Sequence, residues 1–281
     1  MIKFPRLLIY ILKTIRVYET LKNIYIKHLK FLGILKDDIE TNLFFIFLNI
    51  KKKNIFVDIG ANKGYKIDQA ILVNRHTKIL AFEPFYKYYI FLKKKYNKNL
   101  QVSLFNKAVD KNISTKYFYY NNKKIDAEAF SLIKNGKFNK KKKVFTTTLD
   151  KELENTNIDI IKIDVEGSEY NVLQGSIKII TKNKPVLFIE ATHKTLFDVN
   201  LFLLKNNYLL FIYEYNIFKK KLNNNWVEGN VITNDKYKKK LFTLSSFINT
   251  KKFFMVNLVC VHRSRLEDLK KITIGSLNII K

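Results

Sequence analysis

The stretch Ile161-Lys162-Ile163-Asp164-Val165-Glu166-Gly167-Ser168-Glu169, running on into Tyr170-Asn171-Val172-Leu173-Gln174-Gly175, decides how this chain is read. A short apolar run ends in acids and a glycine and then takes up helical spacing, which is the signature of a strand feeding a helix. A central strand of a parallel sheet is normally apolar on both faces, yet side-chain alternation sets Lys162 and Asp164 on one face. A lysine there must pair or snorkel, because a buried unpaired charge is costly. The helix dipole accounts for an acid such as Glu169 in a first turn. It does not account for Asp164 together with Glu166, so these two are read as part of a site.

Outward from this segment the same texture repeats. Asn54–Asp58, Ile79–Glu83, Val102–Asn106, Ile160–Asp164 and Val186–Glu190 are short apolar runs, each ending in a polar or acidic residue, with helical segments between most of them. Strand–helix alternation implies a mostly parallel sheet with helices on both faces. The gap from Asn106 to Ile160 is too long for one crossover. Lys116–Tyr120 and Val144–Thr148 are read as extra strands within a β insertion at about 111–150, flanking a lysine-rich connection at Lys137–Lys143. Tyr208–Tyr213 and Met255–His262 read as the last strands, enclosing a polar insertion at about 214–254.

In open α/β sheets ligands bind beyond the carboxyl ends of the strands. Strand one is followed by Asp58-Ile59-Gly60-Ala61-Asn62-Lys63-Gly64. The glycines allow a tight turn and a close backbone approach to a ligand, and a larger residue at Gly60 is expected to block that ligand without disturbing the fold. The spacing differs from the dinucleotide G-x-G-x-x-G. An acid just before the turn repels a pyrophosphate but suits a cationic group. Glu83, at the end of strand two, is placed to accept hydrogen bonds from both hydroxyls of a ribose. Together these point to an adenosyl ligand.

Here the motifs resemble a known family. VDIGANKG (57–64), AFEP (81–84), TLD (148–150), IKIDVEGSEYNVLQG (161–175) and the strand-end Glu190 are similar to the FkbM-type methyltransferases, over about 54–213. The resemblance implies an α/β, class I Rossmann-like fold: a mostly parallel seven-stranded sheet with a final antiparallel strand. It implies S-adenosyl-L-methionine as cofactor and O-methylation of a sugar or glycan hydroxyl. Asp58, Gly60, Asn62 and Gly64 would form the methionine-side loop, Glu83 would hold the ribose, and Asn106 and Ala108 would lie near the adenine. Lys63 departs from the apolar or small residue usual in that loop. An activated methyl needs in-line positioning of the acceptor and removal of its proton, for which Asp164, Glu166, Glu190 and His193 are candidates. Clustered carboxylates could also hold Mg²⁺, but no metal is assigned. The competing readings are a nicotinamide-dependent oxidoreductase, from Glu83, and an RNA-binding or RNA-modifying protein, from the charge.

Composition bounds the rest. With 281 residues, 47% of them hydrophobic, the chain can bury a sizeable core. The net charge of +28 favours anionic partners in general. It is spread along the chain rather than striped, so no specific nucleic acid is expected. One cysteine, Cys260, excludes an internal disulfide and a cysteine metal cluster, and fits a reducing compartment. Residues 1–50 are expected to form a basic amphipathic helical extension, able to lie on an acidic membrane surface. The uninterrupted apolar run Leu7–Leu12 is too short for a signal peptide or a membrane span. The reading is therefore a cytoplasmic methyltransferase domain over 51–265, with an N-terminal extension that either packs on the domain or lies on the inner membrane face, and a C-terminal tail at 266–281.

Overall fold

The computed structural model describes residues 44, 47–120, 131–133, 140–192, 194–217, 220–222 and 253–265. The chain divides into two units, Met1–Leu43 and Phe44–Lys281, and all that follows concerns the second. The expected N-terminal helix, most of the polar insertion at 214–254 and the tail at 266–281 lie outside the described residues.

In chain order the elements are β1 (Ile55–Ile59), α1 (Tyr65–Val73), β2 (Lys78–Phe82), α2 (Tyr86–Lys95), β3 (Val102–Phe105), β4 (Ala108–Val109), β5 (Ser114–Tyr120) and β6 (Lys140–Thr147). They continue with α3 (Leu149–Glu152), β7 (Ile160–Ile163), α4 (Glu169–Gln174), α5 (Ile177–Asn183), β8 (Val186–Thr192), α6 (Leu196–Lys205), β9 (Tyr208–Ile217), β10 (Lys220–Leu222) and β11 (Phe253–His262). The main sheet runs β10-β9-β11-β8-β7-β1-β2-β3. From β3 to β8 all neighbours are parallel, and β11 lies antiparallel between β8 and β9. This is a Rossmann-like sheet, and its strand order reverses beside β1.

Two expectations are corrected. Among the described residues the sheet has eight strands rather than seven, because the chain does not stop pairing at Tyr213. It continues to Ile217 and folds back as β10, with Ile217 opposite Lys220. Aromatic and β-branched residues at 212, 213, 215 and 217 favour that extension. Lys140–Lys143, read as part of a connection, belong instead to β6, where their backbones pair with Tyr117–Tyr120. All four lysines are exposed, which keeps the charges in water while the tyrosine-rich partner supplies the strand preference.

Register explains the two-sided core. Val57 pairs with Ile161 and Ile59 with Ile163, while Ile161 and Ile163 pair with Leu187 and Ile189. This face buries Val172 and Leu173 of α4, Ile179 and Ile180 of α5, and Val199 and Leu203 of α6. The opposite face carries Phe56 and Phe188, covered by the helical residues Phe44 and Phe47. Phe44 packs edge-on against Phe56 at 4.8 Å and Phe188 at 5.6 Å between ring centroids. The TLD segment has a structural duty: the Asp150 carboxylate accepts hydrogen bonds from the amides of Lys178 and Ile179 at the start of α5 (3.0 and 2.9 Å).

Phe188 is 1% exposed whereas Phe145 is 69% exposed. Phe188→Ala is expected to lower unfolding free energy by about 3–5 kcal/mol, and Phe145→Ala by less than about 0.5 kcal/mol, as read by urea titration of both variants.

Candidate active site

A cleft opens beyond the carboxyl ends of β1, β2, β7 and β8. Ile59, Gly60, Asn62, Phe82, Glu83, Asp164, Val165, Glu166 and Glu190 line one side. The strands that bring these residues together are far apart in sequence but adjacent in the sheet. Main-chain bonds fix their ends: Asp164 donates to the Ile59 carbonyl (3.0 Å), and Gly60 and Ala61 donate to the Phe82 carbonyl (3.0 and 3.1 Å).

The glycines of the first loop are explained by packing. Gly60 has φ +87°, and a Cβ there would lie 2.0 Å from the Asp164 carbonyl oxygen. The expectation that a larger residue at Gly60 leaves the fold intact is therefore overturned: that space belongs to the turn after β7. Gly64 does not line the cleft. It has φ +81°, and a Cβ would meet the Tyr96 hydroxyl at 2.5 Å and a Leu92 methyl at 2.8 Å, so it lets the start of α1 pack on the α2 region. Asn62 lines the cleft with φ 49°. Asp58 is buried at 1% exposure, one layer beneath the cleft, in register with Lys162 and Ala81.

Glu83 is held from two sides. One carboxylate oxygen accepts the Asn62 amide (2.7 Å) and the other accepts the Phe85 amide (2.7 Å). Burial raises its pKa from 4.5 to about 7, against the lowering effect of these two amides. Asn106 braces this corner, its side-chain amide donating to the carbonyls of Glu83 (2.8 Å) and Pro84 (3.2 Å). It is not among the cleft-lining residues, whereas Ala108 is.

On the β7 side the Lys162 ammonium donates to Asp164 at 2.7 Å. The lysine side chain is 11% exposed and the aspartate 30% exposed, so the buried cation required by the sequence finds its partner two residues on. Glu166 sits in the left-handed region at φ 52°, next to Gly167 at φ 105°. Burial raises the Glu166 pKa to about 7, with the charges of Asp164 and Glu169 adding and Lys162 opposing. Carboxylate oxygens of Asp164, Glu166 and Glu190 all lie within 4.8 Å of one another. Glu169 is fully buried beneath them. It accepts from the Gly167 amide (2.6 Å) and the Thr195 hydroxyl (2.7 Å), tying the turn to the start of α6. His193 lies outside the described residues.

The facing wall comes from the small sheet β4-β6-β5. Phe118, Ala108 and Val109 line it, with Lys107, Leu132 and Tyr88 of α2 beside them. Ser131 pairs its backbone with Tyr119 and donates its hydroxyl to the Glu166 carbonyl (2.8 Å), drawing the insertion onto the acidic turn. Lys107 is salted to Glu152 at 2.8 Å.

The Methyltransferase FkbM domain matches residues 58–210, more than half of the chain. The chain belongs to the FkbM methyltransferase family. No curated protein matches it in sequence. Among solved structures it is similar to a methyltransferase FkbM from Methylobacillus flagellatus KT, with 18% identity and a TM-score of 0.44 over 62% of this chain. The chain spans 42% of that protein's length. It is also similar to an rRNA methylase from Streptococcus thermophilus (10% identity, TM-score 0.44, 81% of this chain and 99% of that one). A third is a SAM-dependent O-methyltransferase from Thermotoga maritima (11% identity, TM-score 0.43, 83% of this chain and 71% of that one).

In this FkbM domain, sequence reasoning named Ala108 of the facing wall and missed the rest. Phe118 had a usable signal, since it is the one wholly apolar side chain in the strand-like run Lys116–Tyr120. Ser131 and Leu132 had none, because they follow a polar stretch with no periodicity.

Gly60→Ala is expected to destabilise the FkbM domain by about 2–4 kcal/mol, from left-handed strain and overpacking, as seen in chemical denaturation. An unchanged midpoint would contradict the packing role.

Glu83 and Glu166 bind a proton more tightly folded (pKa about 7) than unfolded (4.5). Their contribution to stability is therefore fully present below pH 4.5 and is lost as pH rises from there through about 7. Compared with wild type, a Glu83→Gln/Glu166→Gln protein should lose less stability over that window, as measured by melting across the pH range.

Proposed function

We propose that this protein transfers a methyl group from S-adenosyl-L-methionine to a hydroxyl of a sugar or glycan acceptor. Family membership implies that cofactor, and the observation that carries the acceptor chemistry is Glu166. It is a cleft carboxylate beside Asp164 and Glu190 whose affinity for a proton is raised to near neutrality. A hydroxyl is a weak nucleophile, and a base is most effective when its pKa lies near the working pH.

The residues fit the cofactor. The cleft combines apolar walls at Phe82, Val165 and Val109 with four carboxylates, which suits an adenosine body bearing hydroxyls, an amine and a positive charge. When bound, the cofactor supplies an already activated sulfonium methyl. Glu83, its two oxygens oriented by backbone amides, is assigned to the ribose hydroxyls. Gly60 and Asn62 are assigned to the methionine side, with Asp58 setting the charge beneath them, and Ala108 to the adenine side. Gly64 and Asn106 are assigned supporting roles.

Among the acids, Asp164 is anchored by the Lys162 ammonium on one of its oxygens, which suits orienting a ligand. It is therefore assigned to hold the acceptor or the cofactor amine. Glu166 takes the acceptor's hydroxyl proton on its carboxylate oxygen, and Glu190 lies beside it in the acidic cluster. No metal is assigned to the three carboxylates. No described helix is long and apolar enough to cross a membrane. A cytoplasmic location, with contact to the inner membrane face through the basic N-terminal segment, belongs to this proposal, as does the absence of a specific nucleic-acid partner.

Thermal-shift and methyl-transfer assays on fractionated glycans and glycolipids test the reading. S-adenosylhomocysteine should stabilise the wild type, whereas Glu83→Ala should lose this stabilisation. Glu166→Gln should keep cofactor affinity and lose about 10²–10⁴-fold in turnover, and chelation should leave turnover unchanged. Stabilisation by NAD but not S-adenosylhomocysteine would replace the reading with the oxidoreductase. Full activity in Glu166→Gln would remove its assignment as base.

A further inference from the structure

Beside the mouth of the cleft lies a surface that the transfer chemistry does not use. Residues 85–100 carry five lysines and no acid. Within them α2 buries only Tyr88 and Leu92, and its outer side leaves large apolar groups in water: Tyr86 is 52% exposed, Ile90 42% and Phe91 48%. At 100° per residue these fall in one arc with lysines between them. Tyr86, Ile90 and Lys94 form one row, and Lys87 and Phe91 form the next. Lys87, Lys93 and Lys94 are all exposed, while Lys95 is occupied by Asp68 at 2.5 Å. Strand β6 extends the surface, with the Lys142 ammonium 5.4 Å from the Tyr86 ring centroid.

We propose that this face docks the domain on an anionic lipid bilayer. Bulky apolar side chains set among lysines on one helix face match the boundary between acyl chains and acidic headgroups. Single-stranded nucleic acid would share the charge and the rings, but exposed Ile90 offers it neither stacking nor a hydrogen bond, whereas a bilayer takes up all three apolar groups. The face begins one residue past Phe85, whose amide holds Glu83. A docked domain would therefore set the cleft near the headgroups, within reach of a lipid-borne acceptor; this last consequence alone rests on the proposed function.

The test is binding, not turnover, so its failure is distinguishable from failure of the transferase reading. The full chain is sedimented with phosphatidylcholine vesicles, with and without phosphatidylglycerol. Wild type should partition onto the anionic vesicles only. Ile90→Asp/Phe91→Ser and Lys87→Glu/Lys94→Glu should each weaken partitioning by at least about tenfold, with melting midpoints unchanged because these side chains are exposed. Lys178→Glu/Lys182→Glu, the same charge change on α5, should leave it within about twofold. Equal weakening by the α5 variant would show diffuse attraction to a basic protein and overturn the proposal. Unchanged binding in the α2 variants would overturn it in favour of another segment. Tighter, α2-dependent binding to a single-stranded oligonucleotide, or a concentration-dependent dimer abolished by Ile90→Asp, would reassign the face and overturn the proposal as well.

Discussion

The close crossing of two strand ends organises this molecule. The turn after β1 presses its Gly60 α-carbon against the Asp164 carbonyl, where no side chain fits, and the Asp164 amide bonds back to Ile59. That contact holds the first ligand loop and the acidic turn after β7 at a fixed separation. Glu83 then joins from β2 because its oxygens take the Asn62 and Phe85 amides. The cleft is what remains between ends that are locked at their base.

Locking so many acids together has an electrostatic consequence. Asp164, Glu166 and Glu190 sit within a few ångströms of one another, with Glu83 and Glu169 buried nearby. Lys162 neutralises one of them directly, and amides and the Thr195 hydroxyl satisfy Glu169. Burial, and after it the charges of Asp164 and Glu169, hold the proton of Glu166 near neutral pH against the opposing pull of Lys162. The ion pair and the bonded Glu169 act as supports, while Glu83 and Glu166 are the cleft acids whose protons are held near neutral pH.

The β insertion converts this open acidic edge into a walled site. Its strand β5 contributes Phe118, and Ser131 clasps the backbone at Glu166. The left-handed conformation at Glu166 and the positive φ at Gly167 are thus held from both sides, by Ser131 above and Glu169 below.

Much of this was legible in the sequence. Short apolar runs ending in acids set the strands and the cleft edge, because a buried parallel sheet needs uninterrupted apolar runs and ligands gather at strand ends. The need for Lys162 to find a partner was readable too, since a buried lysine has few alternatives. What the sequence could not separate was ligand contact from packing. Gly60 and Gly64 read alike as loop glycines, yet one abuts the β7 turn and the other the α2 region; the atoms they avoid are 104 and about 30 residues away in the chain. Asn106 and Asp150 brace backbone groups, a role that no local pattern announces. The sequence by itself determined the strand ends and which of them bear acids, since alternation and apolar runs are local properties. Only the tertiary structure decided which acid is paired, which is capped and which is left to titrate, because that depends on burial and on charges brought together across the sheet.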